Sequence, residues 1–401
     1  MKKLMLLGGL RYLLPVIEEA HKLGAYVITA DYLPNNIAHK YSDEYCNVSI
    51  IDKDAVLKAA QERKIDGILS FAVDPGVVSA AYVAEKMGLP FQCSYEAACI
   101  LQDKSRFRQF LSENGFNCPK AKGYSNIEDA VNDVDFFNWP VIVKPVDSAG
   151  SKGVTKVEHK TDLENAIRIA LGASISKKFI IEEFLDIAGF QSSADIFIIN
   201  GKIVYPAYSD QLFDKDAENP FTPAIEIWPA TMKTEFQDNL TTQLQRLFNL
   251  LRVKSGIYNV ESRVCTNGKA YIMEVSPRGG GNRIAELQGL ATNQNLIQAE
   301  VKRALGMEMD FIIPPVYNGV WCNYILHTSK TGKFDSMEID VKFWEKYLKD
   351  KSLTVQAGDN VAPFTGANTS LGTLFLHFET REEAETVLHR INEFVKIKLK
   401  V

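Results

Sequence analysis

Two glutamates carry the strongest chemical signal in this 401-residue chain, Glu261 and Glu274. Between them lies Asn267-Gly268, a pair whose tolerance of positive φ makes it a strong hairpin signal. A two-residue turn there sets Glu261 directly opposite Glu274 and Asn259 opposite Ser276. Strand alternation then puts Asn259, Glu261 and Arg263 on one face with Ile272, Glu274 and Ser276. Tyr258, Val260 and Val264 take the other face, with Tyr271, Met273 and Val275. Opposed carboxylates repel. Either both reach solvent and pair with lysines, or a cation sits between them. A hard divalent cation accepts one or two carboxylates plus substrate phosphates. Directly after the second strand runs Ser276-Pro277-Arg278-Gly279-Gly280-Gly281. An arginine followed by three glycines suits an anionic group that comes close to the backbone.

Further candidates lie upstream. Lys144 precedes Pro145 at the mouth of an apolar strand, from which an ammonium can reach a phosphate. Asp147-Ser148-Ala149-Gly150-Ser151-Lys152-Gly153 is small, flexible and rich in N–H donors, as a phosphate-covering flap must be. It lacks the Walker A spacing. Such a flap has few contacts to hold it shut. Lys104, in Asp103-Lys104-Ser105, would by itself be a solvated helix residue.

These residues need elements to position them. Residues 1–95 alternate strand and helix: Lys3–Leu7, then Tyr12–Leu23, Tyr26–Ala30, Ala55–Arg63, Gly67–Phe71 and Val77–Met87. This is the pattern of a parallel sheet, whose ligands gather at the strand ends near Gly8-Gly9, Asp31 and Asp74. No GxGxxG follows the first strand, so a dinucleotide reading is weak. Residues 96–119 read as a linking helix. Residues 120–185 read as a small α+β unit, with strands near Val141–Lys144 and Phe179–Glu183 and a helix at Asp162–Ala170. Residues 186–310 hold a hairpin across Asn200-Gly201, an irregular stretch 206–234, a helix Leu240–Leu251, the acidic hairpin and a helical run Ile284–Leu305. Residues 311–401 read as a separate β-rich piece. Its last elements are a strand Thr373–Phe378 and a helix Arg381–Val395.

A net charge of −5 gives no reason to expect nucleic acid or a membrane surface. The six cysteines have no metal spacing and read as free thiols of a reducing cytoplasm. No apolar run reaches membrane-spanning length.

In this order, the motifs resemble the ATP-grasp superfamily, and within it the carboxylate–amine ligases of the L-amino acid ligase type. The stretch Val361-Ala362-Pro363-Phe364-Thr365-Gly366-Ala367-Asn368 resembles the small extra domain of those enzymes. The first 90 or so residues also resemble phosphoribosylglycinamide formyltransferases of the ATP-grasp type. The resemblance implies an α/β fold with four parts. They are an N-terminal Rossmann-like parallel domain, a small α+β lid, an α+β C-terminal ATP-grasp domain and an extra β-rich subdomain. It also implies roles. Lys104 and Lys144 would contact ATP phosphates under the flap, including Ser148, Gly150, Ser151 and Gly153. Glu182-Glu183-Phe184-Leu185 would form the hinge that holds adenine. Gln191 stands where a ribose-binding glutamate is usual. Glu261, Glu274 and Ser276 would hold Mg²⁺, with Mn²⁺ accepted by the same oxygens. Ser276 replaces the usual asparagine, and Asn259 opposite it is a candidate substitute. Arg278 would steady the transferring phosphoryl group, and Gly280, Gly281 and Asn282 would line the substrate.

The implied chemistry is activation of a carboxylate as an acyl phosphate, then attack by an amine, with release of ADP and phosphate. Such catalysis is mostly positioning and charge neutralisation. The implied partners are a small carboxylate and an amine in the cytoplasm, and a homodimer is compatible with this. Two other readings stay open: a formyl- or carboxyl-phosphate enzyme of purine synthesis, and a non-catalytic ATP-binding module.

Overall fold

The computed structural model describes residues 1–148 and 150–400. Its first sheet is four-stranded and parallel, in the order Glu44–Asn47, Tyr26–Asp31, Lys3–Leu7, Gly67–Leu69. Its two inner strands, Tyr26–Asp31 and Lys3–Leu7, are largely apolar runs buried on both faces, as inner parallel strands must be. The helix Asp74–Met87 begins three residues earlier than its apolar pattern, with Asp74 in the first turn and Pro75 behind it. That start brings Asp74 to the carboxyl end of the sheet.

The stretch 96–119 is not one helix. Tyr95–Gln102 and Lys104–Glu113 are separated by Asp103, whose carboxylate accepts from the Ser105 and Arg106 N–H groups as an N-cap. Lys104 therefore sits in the first turn of the second helix rather than mid-helix. The lid sheet is four-stranded, in the order Ala121–Tyr124, Phe179–Glu183, Val141–Pro145, Thr155–Val157, and it packs on the helix Leu163–Ala173.

A nine-stranded sheet dominates the rest. Its main path runs Ala270–Ser276, Gly256–Cys265, Ile187–Ile199, Asp210–Phe213, Pro223–Trp228, Val320–Leu326, Gly372–Phe378, Leu348–Leu353. Lys202–Tyr208 pairs with Ile187–Ile199 off this path. Two expectations change here. The 206–234 stretch is largely ordered, with two strands inside the sheet. The β-rich stretch 311–401 is continuous with the same sheet through the Pro223–Trp228 and Val320–Leu326 pair. Ile284–Leu305 is likewise two helices, Ile284–Thr292 and Leu296–Ala304. Among the described residues no helix is long and apolar enough to cross a membrane.

The acidic hairpin keeps its predicted pairing by an unpredicted route. The Cys265 N–H bonds the Lys269 carbonyl and the Gly268 N–H bonds the Cys265 carbonyl, so the loop has three residues with Gly268 at φ +74°. This shifts the register by one residue. A bulge between Glu261 and Ser262 shifts it back, so Glu261 still faces Glu274 and Asn259 still faces Ser276. The same bulge flips the side chains between turn and bulge on the second strand. Ile272, expected beside Glu274, lies in the main core with Tyr258, Val260, Val264 and Val275. Tyr271 and Met273 turn to the other side, where they pack with Leu185 and Cys265.

Candidate active site

One face of the large sheet meets the lid and the glycine run, and the predicted residues converge there. The Lys104 ammonium lies 3.3 Å from Glu274 Oε2 and donates to the Ser148 carbonyl at 3.0 Å. Burial pulls this lysine down, but Glu274, Asp74 and Glu261 outweigh it and hold the ammonium above its ordinary value. Glu261 is pushed up by burial first and by the Glu274 charge second. That is the repulsion the pairing implied. Among the described residues no cluster of three or more acidic, histidine or cysteine side chains is placed to hold a metal. Two opposed carboxylates nevertheless offer a hard, all-oxygen donor set that suits Mg²⁺ when phosphates and water complete its shell.

Arg278 is held by Asp74, at the start of the helix Asp74–Met87. Its Nε donates to Asp74 Oδ1 at 2.8 Å and its Nη2 to Asp74 Oδ2 at 2.6 Å, while Nη1 donates to the Gly279 carbonyl. Burial favours the protonated acid at Asp74, yet Arg278 holds its carboxyl below the ordinary range. A guanidinium has five N–H donors, so these three bonds leave two free. The nearby Glu286 is bound by Arg283. Ser276 donates to Asp74 and accepts from Gln102, so its hydroxyl is occupied inside the protein. Asn259 donates from Nδ2 to Asp195 Oδ1, a bond that does not use its own Oδ1. Asp195 also receives the Gly280 N–H, which pins the glycine run, and burial raises its carboxyl to about 6. Asn282, at φ +50°, offers its carbonyl to Asn323 Nδ2. A side chain at Gly280 would meet Ile284 Cδ1 at 2.7 Å, whereas Gly281 faces open space.

The hinge departs from expectation. Glu182 is 3% exposed and is taken by two cations, with Arg108 Nε at 2.9 Å on one oxygen and the Lys144 ammonium on the other. Burial alone would raise its carboxyl; Arg108 and Lys144 bring it down to about 2. Its side chain is therefore an internal counter-charge. The Glu183 and Phe184 N–H groups bond the Lys120 and Pro140 carbonyls, and the Lys156 ammonium lies 4.1 Å from the Phe184 ring centroid. Beside the hinge, Leu185, Cys265, Tyr271 and Met273 form an apolar patch. Gln191 is buried with both amide ends used, one on Gln211 and the other by Arg263.

The flap is tied down by side chains. Ser151 Oγ donates to the Phe221 carbonyl at 2.8 Å, and Asn219 Nδ2 donates to the Ser151 and Thr365 carbonyls at 3.0 Å each. Gly150 at φ +67° and Gly153 at φ +73° supply its bends. Ala149, part of the predicted flap, lies outside the described residues.

Sequence reasoning missed Arg108, Gln102, Asp195, Gln211, Glu226 and Asn323. The last two extend a transverse row across the sheet, Arg263 to Gln191 to Gln211 to Glu226 to Asn323, each the cross-strand partner of the next. Burial pushes Glu226 up to about 8.

Residues 137–286 match the model of the ATP-grasp domain. The chain has the ATP-grasp fold. It is 22% identical over 304 residues to the carbamoyl phosphate synthase large chain of Thermotoga petrophila, covering 75% of this chain and 26% of that protein. The chain thus spans about a quarter of the length of that relative, and a fifth of the next two. A formate-dependent phosphoribosylglycinamide formyltransferase of Nitratiruptor sp. is 24% identical over 317 residues, 77% of each protein. The solved L-amino acid ligase of Bacillus licheniformis superposes with a TM-score of 0.81 at 20% identity, over 100% of this chain and 99% of that one.

Proposed function

We propose that this ATP-grasp protein is an ADP-forming carboxylate–amine ligase that uses ATP and Mg²⁺. The observation that carries the reading is the opposed Glu261–Glu274 pair, bordered by Lys104 on one side and the glycine run of Arg278 on the other. Glu261 and Glu274 would hold Mg²⁺, and Mn²⁺ would fit the same oxygens. The bound metal supplies charge neutralisation at the phosphates. Lys104 and Lys144 each keep donors beyond those already used, and these face the phosphates. The apolar patch at Leu185, Tyr271 and Met273 offers a flat surface for a nucleobase next to the hinge backbone of residues 183–185. Gln191 would reach a ribose hydroxyl only by giving up Gln211 or Arg263. The free donors of Arg278 receive the transferring phosphoryl group and the acceptor carboxylate. Gly280, Gly281 and Asn282 leave room for that acid, and the flap excludes water from the acyl phosphate.

The formyltransferase relative, aligned over three quarters of both chains, supports a second reading: a formyl- or carboxyl-phosphate enzyme. ADP release measured over a matrix of carboxylates and amines separates the readings. Release that needs both an acid and an amine supports ligation. Release with formate or bicarbonate in place of every larger acid supports the second reading. Nucleotide binding without any release would leave a non-catalytic module.

A further inference from the structure

Several buried acids in this protein face cations: Glu182 meets Arg108 and Lys144, Asp74 meets Arg278, and Glu300 meets Arg303, while Asp195, which has no ion pair, has Asn259 and the Gly280 N–H as donors. Glu226 forms no ion pair among the described residues. It is 2% exposed, and one of its oxygens, Oε1, accepts from Gln211 Nε2 at 3.2 Å. The other, Oε2, is out of solvent contact and has no partner. Its cross-strand neighbour is Asn323, which is wholly buried. The bond from Asn323 Nδ2 to the Asn282 carbonyl fixes Oδ1 as the free end of that amide, and Oδ1 too has no partner. Two unpartnered acceptors therefore stand on neighbouring strands, on the face that carries Glu261 and beside the glycine run.

Unpaired buried acceptors are costly. A ligand carbonyl or carboxylate would add a third acceptor. A divalent cation needs about six oxygens, and the pair supplies two. An ammonium has three donors and the missing charge. Without that counter-charge, burial keeps Glu226 protonated; as an ammonium docks, the carboxyl gives its proton to solvent and both oxygens become acceptors. The loop 214–222, whose Asn219 holds the flap, also joins the strand of Gln211 to the strand of Glu226.

We infer that Glu226 and Asn323 form the seat of the amine substrate, which enters as an ammonium and gives up a proton to Glu226 Oε2 before it attacks. This rests on the ligase reading above. The step balances: the ammonium N–H bond breaks and its proton passes to the carboxylate. The nitrogen lone pair then forms the C–N bond to the acyl carbon, and the C–O bond to phosphate breaks with its electron pair on the leaving phosphate, which takes up the nitrogen's second proton. A proton acceptor placed this way contributes about a hundredfold or more.

Hydroxylamine tests the seat, because it is neutral at physiological pH and attacks an acyl phosphate without losing a proton first. The wild-type enzyme, given Mg–ATP and an acid active in the screen, should yield both hydroxamate and the amide with an active amine. Glu226→Gln should keep hydroxamate formation within a few-fold while its amide formation falls about a hundredfold and the KM for the amine rises. Glu226→Asp, which keeps a proton acceptor, should recover part of the amide rate. Amide formation by Glu226→Gln at the wild-type rate would overturn the seat and leave the ligase reading intact. Loss of both products, with Mg–ATP still bound, would also overturn it. If no acid gives hydroxamate with the wild-type enzyme, the ligase reading fails and the seat falls with it.

Discussion

Arg108→Met should destabilise the protein by about 3 kcal/mol at neutral pH. Arg108 sits on the helix Lys104–Glu113, its Nε bonds Glu182 in the lid, and its Nη1 bonds the Met273 carbonyl in the acidic hairpin at 2.7 Å. One side chain thus ties three segments, with 3% of its surface exposed. Two routes bear on the magnitude. Breaking a buried ion pair from one side typically costs about 3–5 kcal/mol, and the lower end applies because Lys144 still faces Glu182. The fall of the Glu182 carboxyl from 4.5 to about 2 corresponds to roughly 3 kcal/mol for Arg108 and Lys144 together, which sets a ceiling on the pH-dependent part. Because the folded value is the depressed one, this stability is fully present above pH 4.5 and is lost as pH falls towards 2. Urea denaturation at pH 7 and at steps through the acid range measures both. The gap between wild type and variant should be widest at pH 7 and narrow below pH 4.5. A gap under about 0.5 kcal/mol at pH 7, or one that does not change with pH, would mean that Arg108 is not what holds Glu182 ionised.

Other outcomes follow from the same geometry. Glu274→Gln should abolish Mg²⁺-dependent ADP release and the rise in melting temperature on adding Mg–ATP, while the melting temperature without nucleotide stays close to wild type because the repulsion on Glu261 and the attraction on Lys104 are lost together. Arg278→Ala should keep nucleotide affinity within a few-fold by calorimetry and lose about a hundredfold in kcat, the typical effect of removing one transition-state donor; a lost affinity with kcat preserved would make Arg278 a nucleotide anchor instead. Asn219→Ala removes both bonds that clamp Ser151 and Thr365, so amide exchange at residues 150–153 should speed up about tenfold without nucleotide. Unchanged exchange would mean that Ser151 and Phe221 hold the flap unaided.

What was legible in the sequence was local. Asn267-Gly268 announced a hairpin, and the facing of Glu261 and Glu274 followed from it. The turn has three residues rather than two, and only the bulge at Glu261 restored the predicted pairing. The bulge itself left no signal beyond Ile272 standing at a polar position. Asp103 was readable, since Asp followed by Lys-Ser-Arg is an N-cap pattern, but a continuous helical run concealed it. The strands Asp210–Phe213 and Pro223–Trp228 were hidden by prolines. Pro223 opens its strand and Pro229 follows it, positions where proline is tolerated, so the same residues that mark loops here mark strand ends.

The unread part of the site has a common cause. Arg108, Asp195 and Glu226 are single charges in ordinary contexts, and a lone charge in a sequence reads as solvated. What makes each one matter is a partner far along the chain. Glu182 lies 74 positions from Arg108, and the Gly280 amide 85 positions from Asp195. Asp74 is 204 positions from Arg278. These pairs cross from the first sheet to the glycine run, and from the linking helix to the lid. Formation of the site is therefore coupled to docking of the units: Arg278 is oriented only when the helix Asp74–Met87 is in place, and Glu182 stays ionised only when the helix Lys104–Glu113 meets the lid. A separation of the lid from that helix would leave a buried carboxylate short of its arginine. The charges thus favour a docked arrangement in which both lysines, the acidic pair and the guanidinium already face one cleft.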